Sequence, residues 1–247
     1  MSFDEDSFVV AETVTSNADG STTVTNVASR TDGNIAHTIA TTTSADGNTR
    51  TTEFDTNGDG VVDRKRTEVL VVNGDGSVTE TIDDYDGSGT ILTRRQVTDT
   101  STDGLTVTVS RDVDGSGVYD QIETRVTGAD GSLTLTVTDL NDDGSTDSSE
   151  TAVTSADGLS KTLTVDSTGD GVVNATRTTI TTVAVDGTRT ETKTDYAGDG
   201  VTAAHRIKTV VTITNPDGSG KTVNTDLDGD GTTDITNISA ILDNADG

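Results

Sequence analysis

The sequence predicts an all-β fold: a repetitive antiparallel β-meander of about eight hairpin units of 27–31 residues, coiled into a solenoid, barrel or sandwich. Asp-Gly pairs recur at Asp19, Asp46, Asp75, Asp103, Asp130, Asp157, Asp186, Asp217 and Asp246, at steps of 27, 29, 28, 27, 27, 29, 31 and 29 residues. A second, longer Asp/Gly loop opens roughly midway between them, at Asp55, Asp84, Asp112, Asp139, Asp166, Asp195 and Asp226. The intervening segments alternate with period two, and none carries apolar residues at helical spacing with caps.

Residues 1–18 fit the repeat least and read as an atypical N-terminal cap or edge strand, and the loop near Arg30–Asn34 is degenerate. Residues 19–247 read as one array with no linker or composition break. The register runs through Asp246-Gly247, as in a segment of a longer protein. Leu133, Leu135 and Val137 alternate with threonines, Leu105, Val107 and Val109 do so one unit earlier, and Val118, Ile122 and Val126 oppose Gln121, Glu123 and Arg125. That pattern predicts one buried and one wet face. Threonine, about a fifth of the chain, suits a pleated half-exposed surface because its β-branch restricts χ1. Short turns such as Ala129-Asp-Gly-Ser132 are hairpin signals, since Asp and Gly tolerate the backbone that such turns need. About sixteen strands then run as antiparallel neighbours with the long loops along one edge. Strands gathered in fours would instead make a β-propeller, two units to a blade.

The formal charge is −27, and Asp supplies 35 of the 43 acidic residues. This field disfavours nucleic acid and anionic lipid and makes cations the natural partner. The bias toward the shorter carboxylate suits turns and metal loops. Hydrophobic residues are only 29% and aromatics 2%, close to the composition of disordered chains, so order needs help beyond apolar burial. Without cysteine there is neither a disulfide framework nor a thiolate site. The longest apolar runs, such as Val69–Val72, are far too short to insert in a membrane, and the first residues lack a basic segment followed by an apolar one, so no cleavable signal is expected.

Laid over one another, the long loops place oxygen ligands at positions 1, 3, 5 and 9 and Gly at 6. Four are near-complete: Asp55, Asn57, Asp59 and Asp63; Asp112, Asp114, Ser116 and Asp120; Asp139, Asn141, Asp143 and Asp147; Asp226, Asp228, Asp230 and Asp234. Short oxygen-bearing side chains at alternate positions wrap a hard cation, and Gly permits the turn that gathers them. Glu123 and Glu150 stand at position 12 of two loops, where an EF-hand has its bidentate Glu; the others carry Arg or Asn there. Asp166, Thr168, Asp170 and Asn174 form a weaker variant. The loops of Asp84, Asp86 and Ser88, and of Asp195 and Asp199, lack a carboxylate at position 9 and are weak sites or plain turns. Carboxylates gathered without a cation repel, which favours calcium, with four to seven ions expected; magnesium demands a stricter octahedron. Seven divalent ions would move the charge from −27 to −13.

These loops resemble dockerin-like and thrombospondin-type calcium loops. By composition and period the whole chain resembles the Thr/Asp/Gly-rich calcium-binding arrays of giant bacterial secreted proteins and adhesins, many of them exported by type I systems. The resemblance implies an extracellular or cell-surface module that folds as it meets calcium. The flanks are strands, so this is not a helix–loop–helix EF-hand, and the Gly-Gly-x-Gly-x-Asp nonapeptide of the toxin β-roll does not occur. His37 and His205 are far apart and read as surface strand residues; no nucleophile elbow or phosphate loop is present, so no enzyme is expected. The basic residues lie among acids on strands and read as cross-strand partners. The expected role is a structural or adhesive module rigidified by calcium, whose end strands could pair head to tail with copies of itself in a filament. The alternative is an ice- or carbohydrate-binding surface built from ladders such as Thr134-x-Thr136-x-Thr138 and Thr190-x-Thr192-x-Thr194.

Overall fold

In a computed structural model, residues 8–240 are described and the fold is all-β. The described residues form seventeen strands and one 3₁₀ turn, Ala203–His205. They fall into two units, one running to Ile122 and including Asp142–Gly144, the other made of Glu123–Asn141 and the residues from Ser145 onward. The first seven residues of the expected cap and the Asp246 turn lie outside the described residues. No described helix is long and apolar enough to cross a membrane.

The first unit contains β1 (Phe8–Ser16), β2 (Thr22–Arg30), β3 (Ile35–Thr43), β4 (Thr49–Asp55), β5 (Arg64–Val72), β6 (Val78–Asp86), β7 (Leu92–Thr100) and β8 (Thr106–Asp112), each antiparallel to the next. After β9 (Gln121–Thr127), the second unit repeats the scheme with β10 (Leu133–Leu140), β11 (Thr146–Thr154), β12 (Ser160–Asp166), β13 (Ala175–Val183), β14 (Arg189–Ala197), β15 (Arg206–Thr214), β16 (Gly220–Asp226) and β17 (Ile235–Ala240).

The connections reveal a true period of four strands, twice the period of the Asp-Gly pairs. An Asn turn joins β1 to β2. There Asn17 N donates to Ser21 O, the Asn17 amide donates to Ser21 Oγ and Thr23 Oγ1, and Asp19 Oδ1 accepts from Ser21 N and Oγ. The Asn73–Ser77 turn repeats these bonds. A Ser turn joins β3 to β4, with Ser44 Oγ donating to Asp46 and accepting from Thr49 N; Ser101 and Ser155 do the same before β8 and β12. Between these turns lie hairpins with a bulge, at Ala28/Ser29, Asp84/Tyr85, Asp139/Leu140 and Asp195/Tyr196. The fourth connection is the long loop, following Asp55, Asp112, Asp166 and Asp226.

The expectation of one buried and one wet face is corrected. In β10 the Leu133, Leu135 and Val137 face and the Thr134, Thr136 and Thr138 face are both half-buried, and Val126 of β9 is exposed. Among the described residues, the buried apolar side chains are only Ala28 and Ala36. The most enclosed groups are polar: Asp55, Asp83, Asp84, Asp112, Asp166 and Asp226 are all buried, with Thr52, Thr176, Thr181 and Thr194. Where the chain packs deepest, hydrogen bonding replaces the apolar core. Thr23 meets Thr42 at 2.9 Å, Thr41 meets Thr52 at 3.2 Å and Thr136 meets Thr151 at 3.1 Å across neighbouring strands. Asp84 receives Arg66 Nε and Nη2 at 2.8 and 2.9 Å, and Asp83 receives Arg95 Nε and Nη2 at 2.6 and 2.7 Å. The expected cross-strand role of these arginines is borne out. His37 is exposed on β3, whereas His205 closes the 3₁₀ turn and is not on a strand.

Candidate metal loops

Four long loops share one frame. The carboxylate at position 1 ends a strand, is buried, and accepts two backbone N–H groups from within its own loop. Asp55 Oδ1 and Oδ2 receive Gly58 N and Gly60 N at 2.7 and 2.9 Å; Asp112 receives Gly115 N and Gly117 N at 2.7 and 2.8 Å. Asp166 receives Gly169 N and Gly171 N at 2.9 and 2.8 Å, and Asp226 receives Gly229 N and Gly231 N at 2.7 and 3.0 Å. Position 9 closes the loop from the other side. Asp63, Asp120, Asn174 and Asp234 accept from the N–H at position 2 at 2.7, 2.6, 2.6 and 2.7 Å. Their own N–H groups return to the carbonyls of Phe54, Arg111, Val165 and Thr225.

The glycine at position 4 fixes where each loop sits. Gly58, Gly115, Gly169 and Gly229 have φ of +76°, +77°, +65° and +76°. A Cβ there would stand 2.2, 2.2, 2.2 and 2.3 Å from the carbonyl oxygens of Ile35, Leu92, Thr146 and Arg206. Those four residues open the strand after each bulge, so the loop's backbone lies directly on the preceding bulged hairpin. Only glycine allows that approach.

In two of the loops this frame gathers three carboxylates. Asp112, Asp114 and Asp120, and likewise Asp226, Asp228 and Asp234, offer oxygen atoms that all lie within 4.8 Å of one another, so each trio could hold a metal ion. The trio comes from positions 1, 3 and 9. The loops at Asp55 and Asp166 carry Asn57 and Thr168 at position 3, and the latter has Asn174 at position 9, which makes them less charged versions of the same frame. Position 5 turns into the loop's exit: Asp59, Asp170 and Asp230 accept from Val61 N, Val172 N and Thr232 N, and Ser116 Oγ accepts from Val118 N. Hydrogen bonds from Thr56 Oγ1 and N hold Asp63 below the usual carboxylate range, Ser116 N and Oγ do so for Asp114, and Thr232 Oγ1 and N for Asp230. For Asp166 burial pushes the other way, and the bonds from Thr168, Gly171 and Gly169 outweigh it. These carboxylates are therefore ionised at neutral pH and available to a cation.

The other expected loops fold differently. Asp139 lies within β10, opposite Ser148, whose Oγ donates to it at 3.2 Å, and Glu150 faces Val137 and Val165 along the ladders. Asn141 to Ser145 form an Asn turn, with Asn141 N donating to Ser145 O and its amide to Ser145 Oγ; Asp143 sits in that turn and Asp147 is on β11. Asp84 and Asp195 are strand residues, each held by an arginine, Arg66 and Arg177 respectively. Asp86 accepts Ser88 Oγ at 2.7 Å inside a tight turn, and Asp199 precedes the 3₁₀ turn. Glu123 lies in β9 beyond the Asp112 loop.

Position 4 sets the Asp139 loop apart by sequence, with Asp142 where the four framed loops have Gly; the Asp84 and Asp195 loops keep Gly87 and Gly198 there but have Leu92 and Ala203 at position 9. Asn141-x-Asp-Gly-Ser145 also repeats Asn17-x-Asp-Gly-Ser21 and Asn73-x-Asp-Gly-Ser77. The spacing of oxygen ligands hid both signals. No protein-family model matches the chain, and no curated protein matches it.

Proposed function

We propose that the chain is an extracellular structural or adhesive repeat module whose long loops take calcium, and that the ions rigidify a meander with almost no apolar core. The observation that carries this reading is the pair of carboxylate trios, Asp112-Asp114-Asp120 and Asp226-Asp228-Asp234, built on one backbone frame in different parts of the chain. Oxygen-only ligands from short carboxylate side chains suit calcium better than magnesium, which demands a strict octahedron, or a softer metal. Ions in all four framed loops would add eight positive charges to a chain at −27. Binding only the folded state, they stabilise it by RT ln(1+[Ca]/Kd). Sites of extracellular strength, with Kd of about 0.1–1 mM, leave the chain loose in a calcium-poor cytosol and rigid outside the cell. How the strands coil, as solenoid, barrel, sandwich or propeller, and pairing of copies end to end belong to this same reading. Cross-strand threonine pairs at Thr23–Thr42, Thr41–Thr52 and Thr136–Thr151, 2.9–3.2 Å apart, turn hydroxyls toward one another, which suits internal structure better than an ice-binding face at those positions.

Calorimetric titration of the EDTA-stripped chain tests the proposal. The expected result is saturable calcium binding at two or more sites near 0.1–1 mM. Asp114→Asn with Asp228→Asn should remove the two strongest, and magnesium should compete poorly. Absence of saturable calcium binding up to about 10 mM, beyond the extracellular range, would defeat it.

A further inference from the structure

The four-strand repeat places the same positions of its second, third and fourth strands next to every framed loop, so its copies can be compared residue by residue. In the first unit, the position beside Asp112 is filled. Asp83 of β6 and Arg95 of β7 are directly opposed and doubly hydrogen-bonded at 2.6 and 2.7 Å, and Tyr85 Oη donates to Asp83 at 3.1 Å. In the second unit, the register gives Thr194 and Thr209 at these places, with Tyr196 for Tyr85 and Arg206 for Leu92. Thr209 Oγ1 reaches Thr194 Oγ1 at only 3.4 Å, and two short side chains replace an Arg–Asp pair. The space they vacate is an open cleft of about 270 Å³ between Tyr196 and the Asp226 loop. At the other places of this type stand Val27 with Thr38 and Thr138 with Ser149, without a tyrosine or arginine beside them.

The lining is selective. Tyr196 gives a ring, while Thr194, Thr209 and Asn224 give small hydroxyl and amide groups. Among the described residues the Arg206 guanidinium, the Tyr196 hydroxyl and the Asn224 amide nitrogen donate no hydrogen bond to protein, whereas Asn224 Oδ1 already accepts from Thr236 Oγ1. Asp226 lines the cleft, but both of its oxygens are occupied by Gly229 N and Gly231 N. Arg206 lies along that loop: a Cβ on Gly231 would be 3.1 Å from its Nη1. Unspent donors, one of them a guanidinium suited to bidentate carboxylate binding, beside an aromatic face and short polar side chains, match a pyranose ring carrying a carboxylate.

We propose that this cleft binds an acidic sugar unit, a uronic acid residue of a polysaccharide, with its carboxylate on Arg206 and its ring against Tyr196. The Asp226 trio borders the cleft, so an ion there would favour the sugar carboxylate, and titration in calcium and in EDTA separates failure of this site from failure of the calcium reading. The probe is D-glucuronate, with D-glucose as the neutral control, titrated against the ¹⁵N-labelled chain in calcium-containing buffer and again in EDTA. A ligand this small should bind at about 1 mM, from its atom count and ordinary ligand efficiency. Glucuronate should shift the resonances of Tyr196, Arg206 and Asn224 saturably, and glucose at least tenfold more weakly. Arg206→Gln should weaken glucuronate tenfold or more and leave glucose unchanged. Thr194→Asp with Thr209→Arg rebuilds the filled arrangement that the first unit already tolerates, and should abolish binding with the β signal intact. Should the double variant misfold, Tyr196→Ala gives the second reading, an expected loss of at least fivefold. No saturable shift up to about 50 mM glucuronate, well above that millimolar expectation, equal binding of glucose, or undiminished binding by the filled variant would each overturn the proposal.

Discussion

At the scale of single residues, position 1 and position 3 of a framed loop carry different duties although both are Asp. Asp112 is 1% exposed and each of its oxygens accepts a backbone N–H, so it is structural with or without an ion. Asp114 is exposed, bonded to Ser116 N, and its carboxylate lies with those of Asp112 and Asp120 where an ion would be held. Asp112→Asn turns an N–H donor toward Gly115 N or Gly117 N and should cost about 1–3 kcal/mol in EDTA, the usual penalty for a buried unsatisfied donor, and more in calcium, where a ligand of the trio is lost as well. Asp114→Asn should leave the EDTA melting temperature unchanged and lower only the calcium-bound one. Melting curves of both variants in the two buffers check this; an Asp112→Asn that melts like the parent in EDTA would contradict the frame. The turn carboxylates add a pH dependence. Asp19, Asp75, Asp130 and Asp217 are depressed by hydrogen bonds from the Ser two residues on. A depressed folded pKa contributes stability that is present above the unfolded value, about 3.9, and is lost as pH falls through the folded values. In about 1 M salt, where the Debye length is roughly 3 Å and mutual repulsion of the acids is screened, the melting temperature should fall steadily from pH 5 to pH 2. A flat or rising profile there would show that these bonds contribute nothing to folding.

At the scale of elements, each strand is positioned by its connections, and these were only partly legible in the sequence. The short turns, the strands and the alternation of Asp loops follow from Asp-Gly spacing, because an Asx bond and a positive φ at Gly are local needs. The doubling of the period was not, since it depends on which loop lies on its neighbour. Asp139, Asn141, Asp143, Asp147 and Glu150 satisfy every spacing rule of a calcium loop, yet Asn141 caps a tight turn instead. For this loop the physical discriminator is position 4, where Asp142 stands and where, in the Asp112 loop, the approach to the Leu92 carbonyl excludes any side chain. One loop contains its own control. Gly115 and Gly117 have similar φ, +77° and +88°, but a Cβ would meet Leu92 O at 2.2 Å at the first and nothing within 4 Å at the second. Gly117→Ala should therefore cost only the left-handed penalty of about 1–2 kcal/mol, and Gly115→Ala clearly more, with weakened calcium binding. Equal losses in urea unfolding of the two variants would mean that the loop does not rest on its neighbouring hairpin.

At the scale of the whole molecule, composition was the most informative signal. A chain with 29% hydrophobic residues and a charge of −27 lacks the apolar burial that ordinarily offsets conformational entropy, and the described residues enclose only two alanines as apolar core. What the alternation of Leu133, Leu135 and Val137 with threonine suggested, a buried face, is instead a ladder half-buried on both sides, because cross-strand hydroxyl and Arg–Asp bonds take the enclosed positions. Stability then depends on neutralising the loops that join the strands. The most direct measurement is thermal unfolding of the EDTA-stripped chain by far-UV circular dichroism across a calcium series, with magnesium as control. At 100 times Kd, two independent sites would each add about 2.7 kcal/mol. A β signal and melting temperature that rise together through sub-millimolar to millimolar calcium, and far less with magnesium, are the predicted result. A melting temperature indifferent to calcium would contradict the account and leave the framed Asp loops as hydrogen-bonded turns sufficient in themselves.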